Sequence, residues 1–367
     1  MTSRVPLVDL KAQHALLAGE LADAIGAVVA SSELVLGPAV DRFEEAAAGF
    51  LGVKHAIGVS CGSDALVTAL LAAGVRHGDE VVTTPFTFFA TAEAILRVGA
   101  VPRFADVEPR SLQLDAGAVA GVLSARTRAI MPVHLFGAAA PIDALVALAT
   151  RSGVAVVEDA AQAFGATLGG RALGTFGALG CYSFFPSKVL GALGDGGLVV
   201  TNDAALASLC RSLRQHGRDA SGDFTTVGGN FRLDAVQAAA LSVKLRRLPA
   251  FIEARLRHAA LYDAALEGAP GFRIVERHAG WNGAIYTLRV LDGRRDAVRR
   301  KLHEQGVETG VYYARPLHLT GALAGHGVRE GALPESERAS REVLSLPLYP
   351  EMSDAQRDHV VTTLLAV

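Results

Sequence analysis

Between residues 56 and 202, short apolar runs alternate with stretches whose apolar positions recur every three to four residues. The runs at 56–60, 80–84, 101–105, 128–135, 154–158, 179–185 and 197–201 are rich in β-branched residues and bounded by turn formers, which predicts strands. Helical spacing at 64–73, 90–98 and 142–150 falls between them. Such alternation predicts an α/β fold, with a mostly parallel central sheet covered by helices on both faces. After Asn202 the pattern changes to helices at 204–216, 233–247 and 249–267. An α+β segment follows, with a strand at 284–291 and helices at 295–305, 335–343 and 354–365. This divides the chain into a large domain, 1–248, that includes an N-terminal helical segment, and a smaller C-terminal domain, 249–367.

Composition agrees and narrows the function. At roughly 150 residues per domain, 367 residues make about two domains. A half-hydrophobic, 20% charged chain with 39 glycines is globular rather than disordered. The 35 Lys and Arg against 37 Asp and Glu leave a net charge of −2, so no basic excess is available to follow a nucleic-acid backbone. The stretch 129–142 is interrupted by Pro132, His134 and Pro141 and is shorter than the roughly 20 residues of a membrane span. Arg4, Asp9 and Lys11 break any apolar leader, so a cytoplasmic location is expected. Cys61, Cys181 and Cys210 are far apart and form no CxxC pair, which predicts neither disulfides nor a metal site. An enzyme of small molecules remains.

In open α/β sheets, ligands sit beyond the carboxyl ends of the strands, and four strand ends carry candidate chemistry. Gly62 and Ser63 open a helix after the first strand. Its free N–H groups and dipole suit a phosphate, and a plain helix cap is the alternative. The run 85–91 places Phe86, Phe88 and Phe89 after the second strand, either as core filling or as a platform for a planar ring. The run 154–159 drives an apolar strand into Glu158 and Asp159, with Gln162 just beyond; carboxylates at such a mouth need a partner, unless they are only caps or ion pairs. Lys188 follows Ser183, two phenylalanines and a proline, and precedes the glycine-rich 191–197. Most lysines are solvated, but a desolvated one forms Schiff bases with carbonyls. A lysine at one end of a ring and a strand-end acid at the other is what pyridoxal phosphate requires.

The segments GSDAL at 62–66, PFTFFAT at 85–91, PVHLFG at 132–137, EDAAQAFGA at 158–166, SFFPSK at 183–188, GDGG at 194–197 and GGNFRLDAVQAA at 228–239 occur in this order. Together they resemble the DegT/DnrJ/StrS family of sugar aminotransferases, whose architecture is that of fold-type I pyridoxal phosphate enzymes. The resemblance implies that Lys188 binds the cofactor covalently and later carries the proton. It implies that Asp159 faces the pyridine nitrogen, Gln162 the ring hydroxyl and Phe88 one ring face. It implies further that Gly62, Ser63 and Ser183 hold the phosphate and that Asn230 reaches it from the other subunit of a homodimer. In the small domain Tyr313, Arg315 and His318 become candidate substrate contacts, His318 with an equal case for a structural role. His134 reads as packing. The chain departs from many relatives at 139–143, where only Asp143 of a paired-acid run is present, and at Ser187, which keeps the hydroxyl of the usual threonine.

The implied reaction moves an amino group from an amino acid, L-glutamate by expectation, to a nucleotide-linked keto-sugar, with a 3-keto sugar preferred. Lys188 argues against the dehydratases of the same fold, which carry a histidine there. A regulatory protein that binds the cofactor without turnover, and an enzyme of keto-cyclitols, are the alternatives. A dinucleotide oxidoreductase lacks its GxGxxG after the first strand.

Overall fold

A computed structural model of the chain describes residues 4–367. Its central sheet has seven strands: β1 His55–Val59, β2 Glu80–Thr83, β3 Val101–Phe104, β4 Thr127–Ile130, β5 Ala155–Asp159, β8 Leu179–Ser183 and β9 Gly197–Thr201. The two short strands between β5 and β8, β6 Thr167–Leu168 and β7 Arg171–Ala172, form a separate hairpin. The order across the sheet is β1-β9-β8-β5-β4-β2-β3, and only β9 runs against its neighbours. The expected mostly parallel sheet is present.

The strands are continuously apolar because both faces are covered. Along β9, Leu198 and Val200 enter a core with Phe43 and Leu241, from helices Pro38–Leu51 and Ala235–Leu266. Val199 enters the opposite core with Leu66 and Leu70 of helix Gly62–Ala72. Pro38 at the first helical position and Gly52 in the left-handed conformation (φ 69°) bound the Pro38–Leu51 helix.

The small domain is a three-stranded antiparallel sheet, β10 Phe272–Ile274, β11 Tyr286–Val290 and β12 Val343–Leu346, with helices Arg295–Glu304, Pro334–Glu342 and Asp354–Leu365. Its core includes Val5, which pairs with Val307, so the start of the described chain belongs spatially to this domain.

Two expectations need correction. The helices expected at 233–247 and 249–267 are one helix, Ala235–Leu266, with Pro249 inside it. A proline costs an interior helix about 3 kcal/mol. Leu241, Leu245, Leu248, Phe251, Tyr262 and Leu266 are buried along both halves, and that burial outweighs the cost. The division after residue 248 therefore falls inside a continuous helix that packs on both domains. The strand expected at 128–135 ends at Ile130. Pro132 has no N–H to extend the ladder, and only the bridge between Val133 and Asp159 continues it before a turn at Leu135–Gly137.

Candidate active site

The ends of β1, β2, β5 and β8 converge on one crevice. At the end of β5, Asp159 is 4% exposed. Its Oδ2 accepts from the Thr91 hydroxyl at 2.8 Å and its Oδ1 from the Ala161 N–H at 3.2 Å. Burial pushes its pKa up, and these bonds, with the charge of Lys188, partly offset that rise. Thr91 follows in turn from Thr87, whose hydroxyl lies 3.1 Å away. Neither threonine carries a signal in the sequence, where the aromatics of the same segment are the conspicuous residues.

Glu158 points to the other face of the sheet, as strand alternation requires. It is fully buried and accepts from His134 Nε2 (2.8 Å), Gly174 N–H (2.9 Å) and Gly177 N–H (2.6 Å). Its expected place at the crevice mouth is thus corrected: a pleat directs one of two adjacent carboxylates in and the other out. His134 Nδ1 accepts from the Ala140 N–H at 3.1 Å, so its proton sits on Nε2 and the ring is a packing element beneath the site.

Lys188 lies on the loop after β8. Burial drives its ammonium pKa down to about 8, while the nearby Asp159 carboxylate works to raise it. A lysine in this range carries an appreciable fraction of neutral amine at neutral pH, which is the nucleophilic form. The loop can fold so tightly because Gly191 approaches the Pro186 carbonyl: an added Cβ would lie 2.2 Å from that oxygen.

The phosphate seat is built from two strand ends. Gly62 begins helix Gly62–Ala72 and lies so close to Ser183 that a Cβ at residue 62 would come within 2.6 Å of the Ser183 Cβ. Cys61 satisfies the later N–H groups of the turn, through Sγ to Asp64 (3.4 Å) and its carbonyl to Ala65 (3.0 Å). The N–H groups of Gly62 and Ser63 and the hydroxyls of Ser63 and Ser183 remain for an anion. Asp64, an acid beside such a site, is offset by Arg97 at 3.0 Å.

Gln162 is held from two sides: its Oε1 accepts from the Phe136 N–H at 2.5 Å and its Nε2 donates to the Tyr313 hydroxyl at 3.2 Å. Phe88 is 59% exposed, and its ring lies 6.2 Å from that of Tyr313. Asn230 is exposed and lines, with Ser60, Cys61 and Arg232, a cleft of about 660 Å³. Of the three small-domain candidates, only Tyr313 reaches the residues of the crevice. Arg315 is exposed. His318 is buried and its Nε2 bonds Glu337 Oε1 at 3.1 Å, pinning the turn Leu317–Leu319 to helix Pro334–Glu342, the structural role of the two readings given to it.

A half-buried lysine of lowered pKa, a buried carboxylate that feels its charge, and a serine-lined helix start whose glycine has no room for a Cβ fit the amine, pyridine nitrogen and phosphate partners of pyridoxal phosphate. Fold and site together define a fold-type I pyridoxal phosphate enzyme. Residues 16–365 match the model of the DegT/DnrJ/EryC1/StrS aminotransferase family, and the chain belongs to that family. It is 44% identical to the "Pleiotropic regulatory protein" of Geobacillus stearothermophilus, over 97% of this chain and 96% of the other. It is 39% identical to the UDP-N-acetyl-3-dehydro-alpha-D-glucosamine 3-aminotransferase of Acidithiobacillus ferrooxidans, over 98% and 97%. Among solved structures, that of S. venezuelae DesV in complex with a ketimine intermediate superposes with a TM-score of 0.96 at 39% identity, covering 100% of this chain and 98% of the other. The protein is an aminotransferase dependent on pyridoxal phosphate. No single helix of the described residues is long and apolar enough to cross a membrane.

Proposed function

We propose that this enzyme transfers the amino group of L-glutamate to a nucleotide-linked 3-keto sugar, as a homodimer in the cytoplasm. The observation that carries the catalytic reading is that Lys188, its ammonium pKa lowered to about 8 by burial, lies near enough to the buried Asp159 for each to feel the other's charge. Support for the substrate comes from the Acidithiobacillus relative, whose name specifies a 3-keto sugar linked to UDP.

In this reading Gly62, Ser63 and Ser183 bind the phosphate, Phe88 covers a ring face and Gln162 meets the ring hydroxyl. Asp159 presents a carboxylate to the pyridine nitrogen and holds its proton there. Bound pyridoxal phosphate supplies an electron sink for the carbon that loses and regains hydrogen. Lys188 Nζ takes up that proton and returns it, a role suited to an amine poised near working pH. Tyr313 borders the sugar side.

A dimer is supported by apolar side chains left open around the crevice: Val35, Phe185 and Phe224 are each more than half exposed. Asn230, on the same exposed loop region, would then serve the phosphate of the partner subunit. Three free thiols suit a reducing compartment.

The test is a reverse-reaction screen, 2-oxoglutarate with a panel of nucleotide-linked amino sugars, read by glutamate formation. Release of glutamate from 3-amino sugars is the expected result; release only from 4-amino sugars overturns the ring position. The Geobacillus relative is named a regulatory protein, and the alternative expected from the sequence is a binder of the cofactor without turnover. A single turnover of bound cofactor by glutamate separates the two, since a pure binder converts none.

A further inference from the structure

The segment joining β10 to β11 crosses the back of the cofactor crevice. His278 accepts from the Ala139 N–H at Nδ1 (2.9 Å) and donates to the Thr167 carbonyl from Nε2 (2.8 Å). Asn282, fully buried, donates to the carbonyls of Gln162 and Phe164, both at 3.0 Å. Trp281 is the only tryptophan of the chain, and its Nε1 donates to the Phe136 carbonyl at 2.8 Å.

Phe136 has φ 60° and ψ 12°, the left-handed region, which is strained for a non-glycine residue. Such a conformation persists only where the surroundings hold it. Here both polar groups of Phe136 are occupied: the carbonyl by the Trp281 indole, the N–H by Gln162 Oε1 at 2.5 Å. A peptide N–H can only donate, so this bond also decides which end of the Gln162 amide faces it. The Nε2 end is left for Tyr313 and for the crevice.

We propose that Trp281 is a positioning residue for the amination chemistry: its indole N–H holds Phe136 in the left-handed turn that orients the Gln162 amide. The proposal rests on the cofactor reading given above. It predicts that the electronic state of the bound cofactor depends on one indole hydrogen that does not touch the cofactor.

Because the chain has a single tryptophan, the test can remove that hydrogen alone. Replacing the indole with an isosteric benzothiophene, by expression in a tryptophan auxotroph, preserves shape and apolar burial. The holoenzyme's visible absorbance is titrated with pH, alongside thermal unfolding, in the native background and in Gln162→Ala. A weakened N–H donor toward the ring oxygen disfavours the form in which that oxygen holds the more concentrated charge. The expected result is a midpoint raised by about 0.5 pH unit, and kcat lowered roughly 3- to 10-fold, the range of one neutral hydrogen bond. In Gln162→Ala the analogue moves neither quantity. An unchanged midpoint in the native background overturns the proposal, as does an equal shift in Gln162→Ala. Absence of any visible band in the unsubstituted holoenzyme would instead defeat the cofactor reading itself. Should the analogue protein fold poorly, Trp281→Phe in the same pair of backgrounds reads the same coupling.

Discussion

The Thr91 hydroxyl donates to Oδ2 of Asp159 at 2.8 Å, and the carboxylate it meets is buried at the end of β5. Burial pushes the pKa of Asp159 up, and this bond opposes the rise, so the threonine favours the charged form that a protonated pyridine nitrogen needs. Thr91→Val keeps the volume and removes the donor. The expected result is a fall of roughly 10-fold in the rate of the glutamate half-reaction, the worth of one hydrogen bond to a charged group. The loss should be greatest at the acid end of the pH profile, where a further-raised Asp159 protonates first. Thr91→Ser should retain most of the rate; stopped-flow absorbance at several pH values checks both.

The contact between Gly62 and Ser183 is steric. A Cβ at residue 62 would stand 2.6 Å from the Ser183 Cβ, so Gly62→Ala forces two strand ends apart. The expected cost is about 1–3 kcal/mol of stability, as for other overpacked sites, together with weaker cofactor binding. Adding Ser183→Gly relieves the clash but removes a phosphate hydroxyl. Thermal unfolding should therefore recover in the double variant while cofactor affinity stays low.

Lys188 makes cofactor attachment pH-dependent in a defined direction. Its pKa is lowered to about 8, so the neutral amine that attacks the aldehyde grows as pH rises toward 8 and levels off above it. An ordinary lysine titrates near 10.4 and would keep gaining amine through that whole range. The rate of covalent uptake by the apoenzyme should rise about tenfold from pH 6 to pH 7 and then flatten between pH 8 and pH 9. A rate that still climbs tenfold per unit above pH 9 would show that Lys188 is not desolvated. Lys188→Ala should show no uptake.

How much of this site the chain discloses depends on the kind of relationship involved. Residues at strand ends are legible, because apolar runs locate the ends and fold topology makes those ends converge: Gly62, Asp159 and Lys188 become candidates in this way. The pleat separates Glu158 from Asp159, but two adjacent acids at a strand end do not reveal which one faces the ligand. Thr87 and Thr91 matter through a bond to a residue about 70 positions away, and a threonine pair beside three phenylalanines gives no local signal. The continuous helix through Pro249 is hidden for the same reason, since tertiary burial on both halves overrides a strong local breaker. Short strands such as β12 carry too few residues for a period to show.

Beneath the crevice, Glu158 stabilises the fold rather than the reaction. It accepts three hydrogen bonds without exposure to water, from His134, Gly174 and Gly177. Glu158→Ala would leave a buried imidazole N–H and two peptide N–H groups unpaired. The expected loss is about 3–5 kcal/mol, measured by urea unfolding of the apoenzyme. Glu158→Gln can still accept but places an NH₂ against at least one donor, and should fall between the two. A loss below 1 kcal/mol in the alanine variant would mean that water replaces the carboxylate.

Subunit sharing of the site is open to a complementation test. If Asn230 serves the partner's phosphate while Lys188 serves its own subunit's cofactor, the two defects lie in different sites or in one, depending on how the chains are combined. A mixed dimer of one Lys188→Ala chain and one Asn230→Ala chain has one site carrying both lesions and one site carrying neither. Random mixing makes half the dimers mixed, each with one intact site in two, so the mixture should regain about a quarter of native activity. Each variant alone should remain well below that value. If Asn230 instead serves the site of its own chain, where it lines the cleft beside Ser60 and Cys61, every site in the mixed dimer carries one lesion. The mixture then shows only the average of its parents. Unfolding and refolding the variants together, followed by an activity assay against each refolded alone, distinguishes the two arrangements.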